Sequence, residues 1–348
     1  MVGHAISDRA KALIKLAVVG FGCASGADTF HEQYGLSRWL SPALGRRKAK
    51  ANQHCESAQK ALASLPAEAS AEDKAVLETQ RVQAMETQAQ IEAAQKDYQK
   101  NLLGISEELH PFSLEDNTCR TADSVVGGLE KRAEALEGIA VQQEILDTRS
   151  ALRKFRAQMD ALSSHISFWW LWVAEILAEW SVDPATQQWL TGTLLPVLYW
   201  HHQMDKTQNQ VHRKRYRQAW QKAVQAWEAD PFHVGLSDSE LQRWLTWGEW
   251  MVRQFHRSSS AVEGRNGCLS QMYHNGRGLT EKRLKALTVI HNYGLRRHDG
   301  TTAASRLFGT SFPDLFDWLV SQMGELPMPR KARQRIVRNP LKLESVPA

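Results

Sequence analysis

The stretch SSSAVEGRNGCLSQMYHNGRGLTEKRLKALTVIHNYGLRR, residues 258–297, decides how this chain is read. Between Ser258 and Thr280 its one acidic residue is Glu263, set among Arg253, Arg257, Arg265, Arg277, Lys282, Arg283, Lys285, Arg296 and Arg297. A carboxylate in so basic a field suits a site that holds a divalent cation against a phosphate backbone. The hard cation needs oxygen ligands and the phosphates need positive charge. Ala261, Val262, Leu269 and Met272 share one apolar helical face, the three serines offer capping oxygens, and Glu263 and Asn266 stand three apart on one side of a turn. The same spacing equally describes an exposed cap followed by an ordinary amphipathic helix.

At the other end, Val2, Ala5 and Ile6 read as the tail of a buried strand. Ser7 or Asp8 marks the handover to a helix made amphipathic by Ala10, Leu13, Ile14 and Ala17. An acid at the carboxyl end of a strand is where open α/β sheets present ligands. As a helix cap, however, Asp8 needs no further role. From Arg46 to Asp160 the composition turns to Ala, Glu, Gln, Lys and Leu, which predicts long helices and a coiled-coil hairpin, with Pro111 in LHPFSLEDNT dividing the arms. Eleven of the 13 tryptophans lie between Ser167 and Trp250. Their three- and four-residue steps, as in WLTWGEW, predict packing between helices, with stacking on unpaired bases as the alternative. Lys206, His212, Arg213, Lys214, Arg215, Arg217 and Lys222, interleaved with Tyr216 and Trp220, form a helical basic face that either tracks phosphates or is simply solvated.

The chain has 348 residues and a net charge of +5, so an anionic partner is plausible on charge alone. Four scattered cysteines with no C-x-x-C argue against a zinc ribbon or a disulfide framework and suit a reducing cytoplasm. The apolar runs Leu13–Ala24 and Phe168–Leu177 are too short and too interrupted by charge to cross a bilayer, so no membrane partner is expected. There is no phosphate-binding G-x-x-x-x-G-K-S/T loop, no G-x-S-x-G elbow and no H-E-x-x-H zinc helix.

Ser259-x-x-Val262-Glu263-Gly264-x-Asn266 resembles the segment carrying the last acidic residue of bacterial DDE-type insertion-sequence transposases, whose catalytic domain is ribonuclease-H-like. Ser7-Asp8-Arg9-Ala10, followed by Leu13-Ile14-Lys15, resembles their second acidic motif. Asp28-Thr-Phe-His31 is similar to the D-x-x-H signature found shortly downstream, and HDGTTAASRLFGTSFPDLFDWLV to the end of the group. The fold this implies is mainly α, with a partial RNase-H-like α/β core lacking its N-terminal strands and interrupted by a large all-α insertion. The expected division is 1–45 for the second half of the core, 46–160 for the coiled-coil insertion and 161–250 for a Trp-rich helical insertion. Residues 251–320 would then form the Glu-bearing core helices and 321–348 a basic flexible tail.

The activity implied is metal-dependent phosphodiester cleavage and strand transfer. Asp8 and Glu263 would be the catalytic, metal-binding acids for Mg2+ or Mn2+, supported by Asp28, His31 and Asn266. Arg257, Arg265, Arg277, Lys282, Arg283, Lys285, Arg296, Arg297, Arg213, Lys214 and Arg215 would contact DNA. The implied partners are transposon-end and target DNA and further copies of the chain, at the nucleoid in a bacterial cytoplasm. The family's first Asp lies on an upstream strand and has no counterpart here. A truncated or split frame is therefore expected, poorly active alone, with an upstream-encoded half as a partner. Two rivals stand beside this: a non-catalytic, DNA-binding accessory protein and a helical scaffold.

Overall fold

Two short extended segments and a long series of helices make up this chain. The computed structural model describes residues 3–66, 69–148, 150–258, 267–274 and 278–323. The chain is mainly helical and divides into two units, Met1–Ser260 and Ala261–Ala348.

In the first unit, β1 (His4–Ser7) pairs in parallel with β2 (Ala24–Ala27), His4 opposite Ala24 and Ser7 opposite Ala27. Parallel strands need a crossover. Here it is the short helix α1 (Lys11–Lys15), which runs into a π turn over Leu16–Gly20. A 35-residue helix, α2 (Thr29–Ala63), follows directly, and a 38-residue helix, α3 (Ala71–Glu108), packs along it. Buried Ala51, Cys55 and Ala58 of α2 step by four and three, and buried Ala84, Ile91 and Tyr98 of α3 by seven, which is the seam of a coiled coil. This hairpin does not follow the expected boundaries. α2 crosses the division at 45/46 without a break, and the chain reverses near Pro66. The Pro111 segment instead connects α3 to α4 (Ala122–Gln142).

The next helices are α5 (Ala151–Arg156), α6 (Met159–Glu179), α7 (Pro184–Trp189), α8 (Leu195–Lys206), α9 (Gln210–Ala229) and α10 (Asp238–Arg253). Their starts are written locally. Asp183, Asn209 and Ser237 each accept backbone N–H bonds at a first turn, and Glu240 closes the reciprocal box with Ser237. One continuous core joins Leu36 and Leu40, Leu109 and Phe112, Leu129, Trp169, Tyr199, Trp200, Tyr216 and Met251. It ignores the expected boundary at 160/161, because residues on both sides of that point share it. Most tryptophans are packing residues: Trp39, Trp169, Trp189, Trp200, Trp244 and Trp247 are buried, whereas Trp180 and Trp250 are exposed. No described helix is long and apolar enough to cross a membrane.

In the second unit, Thr280 caps the helix Glu281–Val289, and Thr302 with Ser305 caps Ala303–Phe308 in a reciprocal box. Between them, the Asp299 carboxylate accepts from the backbone N–H and hydroxyl of Thr301, and Gly300 takes a φ of 76°. The D-G-T-T segment is thus a turn and a cap in sequence. A third helix runs Leu315–Met323. The remainder of the expected tail, 324–348, lies outside the described residues.

Leu129 is fully buried on α4, whereas Leu171 is exposed on α6. Leu129→Ala should cost about 3 kcal/mol in denaturant unfolding, from lost burial and an unfilled cavity. Leu171→Ala should stay within about 0.5 kcal/mol.

Candidate active site

The parallel register sets two acids at equivalent places. Asp8 follows Ser7 at the end of β1, and Asp28 follows Ala27 at the end of β2. The Asp28 amide donates to the Ser7 carbonyl at 2.9 Å, carrying the ladder one residue beyond the strands. Both side chains bond backbone, but to different extents. Asp8 is exposed, and its Oδ1 accepts from the Ala10 amide at 3.0 Å. Asp28 is buried, and its Oδ1 accepts from the Phe30 amide at 2.7 Å and the His31 amide at 3.4 Å, capping α2. The D-x-x-H spacing therefore has a local cause, since an N-cap side chain reaches the amides two and three residues on.

Helix α6 supports this edge. His165 Nε2 donates to the Ala27 carbonyl at 2.7 Å, and the His4 ring lies edge-on to it, centroids 5.2 Å apart. Gly26 is required here, because a Cβ would stand 2.4 Å from His165 Cε1 and 2.6 Å from His4 Cε1. Burial, and then the neighbouring His4, depress the His165 pKa to about 4, so the ring is neutral and can make this bond with one proton. Arg9, at a φ of 62°, folds back to donate to the Ser25 carbonyl and, at 3.1 Å, to Gln158 Oε1.

The chain returns to the same edge at Arg257. Its carbonyl accepts from the Thr29 amide at 3.2 Å and the Thr29 hydroxyl at 2.8 Å. Its guanidinium turns the other way, into the helical core. It donates to the Ser106 carbonyl in the last turn of α3 at 2.6 Å, to His110 Nε2 at 3.0 Å and to Tyr216 Oη at 3.3 Å. Arginine can only donate, so Nε2 of His110 accepts and Nδ1 carries the proton, given to Tyr199 Oη at 2.5 Å. Burial, and then the Arg257 charge, hold the His110 pKa well below its ordinary value. The same two causes bring His212, beside Tyr216, down to about 4. The sequence did not expose this network. LHPFSLEDNT reads as a turn and HRKRYR as a basic face, although Tyr216 four residues after His212 was a legible hint of an inward stripe.

The other expected residues divide by orientation. Arg213 donates to the Met204 carbonyl at 3.2 Å, and Arg215 pairs with buried Glu107 at 2.9 Å, so both serve the fold, while Lys214 faces solvent. In the second unit Lys282, Arg283, Lys285, Arg296 and Arg297 are exposed, with Lys285 paired to Glu281 at 2.7 Å and Arg296 to Asp314 at 3.3 Å. Glu263, Arg265, Asn266 and Arg277 lie outside the described residues. Among the described residues, no three His, Cys, Asp or Glu side chains converge as a metal-binding group. Asp8 has the donor chemistry that a hard divalent cation takes, an exposed carboxylate at a strand end, whereas the buried cap Asp28 does not.

Residues 190–335 match a family of unknown function (DUF6399), an interval that includes α8–α10, the Glu263 stretch and the D-G-T-T turn. No curated protein and no solved structure matches the chain.

Glu32, in the first turn of α2, is one further acid at this edge. Burial lifts its pKa from 4.5 to about 7, against the opposing pull of His31 and Arg9. An acid with a raised folded pKa favours the folded state most below its unfolded pKa, and this contribution is lost as pH rises from about 4.5 to about 7. Glu32→Gln should therefore raise stability at pH 8 by about 1–2 kcal/mol, allowing for partial exposure, and change little at pH 4. Denaturant unfolding at the two pH values measures this difference.

Proposed function

We propose that this chain is part of a DNA transposase that breaks and rejoins phosphodiester bonds with Mg2+ or Mn2+. The carrying observation is the strand edge. Asp8 and Asp28 end two neighbouring parallel strands, and Thr29 ties the returning chain there at Arg257, six residues before Glu263. Six residues span at most about 20 Å, so Glu263 is within chain reach of that edge. A parallel strand pair ending in an acid, followed by a helical excursion and a return to the same edge, is the order that the ribonuclease-H-like resemblance implies. On this reading α2–α10 form the all-α insertion.

In this reading Asp8 and Glu263 hold the metal, and Asp28 shapes the edge by fixing the start of α2. A bound divalent ion would polarise the scissile phosphate and lower the pKa of the attacking water. The chain's own part is to present carboxylate oxygen at a strand end and positive charge to the phosphates. Exposed Lys214, Lys282 and Arg297 suit the second task. The remaining acid of such a site would stand on another strand, placed here on the segment expected to be encoded upstream. The rival of an accessory DNA-binding protein draws on the observation that both Asp8 and Asp28 already act as caps.

Incubating the chain, alone and joined to the segment encoded upstream, with DNA flanking its own gene tests the reading. Mg2+-dependent cleavage and end joining should appear in the joined form and fall about 100-fold or more in Asp8→Ala and Glu263→Ala. Salt-sensitive DNA binding with no metal-dependent cleavage in either form would sink it in favour of the accessory reading.

A further inference from the structure

We propose that Arg257 is the positioning residue of segment 258–266, fixing the main-chain point from which Glu263 departs. Its catalytic consequence rests on the transposase reading above. Arg257 is held from two sides. Its main-chain carbonyl takes two bonds from Thr29, the residue after Asp28, and its side chain is fastened to Ser106, His110 and Tyr216. These partners come from the start of α2, the end of α3, the α3–α4 connection and α9, so the residue cannot shift along the chain without breaking bonds on four elements.

The side-chain site is built for a guanidinium. The Ser106 carbonyl lies in the last turn of α3, where backbone carbonyls lack helical partners and the helix dipole favours a cation. His110 and Tyr199 are fully buried and Tyr216 nearly so, and the neutral His110 ring offers Nε2 as an acceptor. Tyr216 Oη accepts from Arg257 and reaches both His110 Nε2 at 3.1 Å and His212 Nδ1 at 3.4 Å. Two aromatic hydroxyls, an imidazole and a helix-terminal carbonyl converge on one cation whose own backbone lies at the strand edge. A residue that merely covered the core would need none of this polarity, since apolar replacement would pack at lower desolvation cost.

The test uses the full chain, joined as above for activity, with Arg257→Met and Thr29→Val. The first removes all guanidinium donors. The second deletes one hydroxyl bond to the Arg257 carbonyl and leaves the buried network intact. Hydrogen exchange over 258–266 should speed up about tenfold or more in Arg257→Met and by a smaller factor in Thr29→Val, with peptides of α4 unchanged. Mn2+ affinity by electron paramagnetic resonance should fall in the same order. For DNA cleavage, kcat should drop about 100-fold in Arg257→Met while KM for DNA holds, the pattern of a misplaced group rather than a lost contact. Unchanged exchange over 258–266 in Thr29→Val, whether or not Arg257→Met folds, overturns the proposal, as does an increase spread evenly over the chain. If the wild type neither binds Mn2+ nor cuts DNA while the exchange difference persists, the tether stands and the transposase reading alone falls.

Discussion

The first unit depends on how the open ends of two long helices are closed at the base of their hairpin. The start of α2 has unpaired N–H groups and the end of α3 unpaired carbonyls, each costly to bury. Asp28 satisfies the first set through Phe30 and His31, and the Arg257 guanidinium meets the second at Ser106. Thr29 then joins the two closures by binding the Arg257 carbonyl. The strand pair, the coiled-coil hairpin and the chain entering the Glu263 stretch thus share one junction, and none of them can move independently of it.

Charge in this protein is spent largely on architecture. Glu108 binds Arg120 and, at 3.0 Å, Arg132, while Glu107 takes Arg215. These bonds stitch the end of α3 to the α3–α4 connection, α4 and α9, where carboxylates half-removed from water need guanidinium partners. The modest net charge of +5 therefore overstates what α9 can offer to DNA. Of Arg213, Lys214 and Arg215, the lysine alone faces outward, the side chain best suited to a mobile phosphate contact because its ammonium has no planar fork to satisfy.

Local signals in the sequence translated well where the determining contacts were themselves local. Ser7–Asp8 ends a strand, Thr280 caps a helix, and the tryptophan steps between 167 and 250 are mostly helix packing, because capping and helical periodicity act within one or two turns. Boundaries between elements were less legible. A composition change at Arg46 suggested a domain border, yet α2 crosses it, since its core-facing Leu36, Leu40 and Leu44 and its seam-facing Ala51 and Cys55 continue one helical stripe. Least legible was the Arg257 junction. Its partners Thr29, Ser106, His110 and Tyr216 are separated by up to 228 residues, and only the fold brings them together.

The contrast between Asp8 and Asp28 bears most directly on chemistry. The two occupy equivalent positions on paired strands, so a sequence pattern alone treats them alike. Burial separates them. Asp28 is sealed and holds two amides of α2, and turning it toward a cation would reopen the helix end on which the junction rests. Asp8 is exposed and spends one oxygen on a single amide at the start of a five-residue helix whose apolar side chains are largely open to solvent. Freeing that oxygen costs one surface bond, on the order of 1 kcal/mol. Of the two strand-end acids, Asp8 is the one the fold can release to a ligand, and Asp28 is the one it must keep.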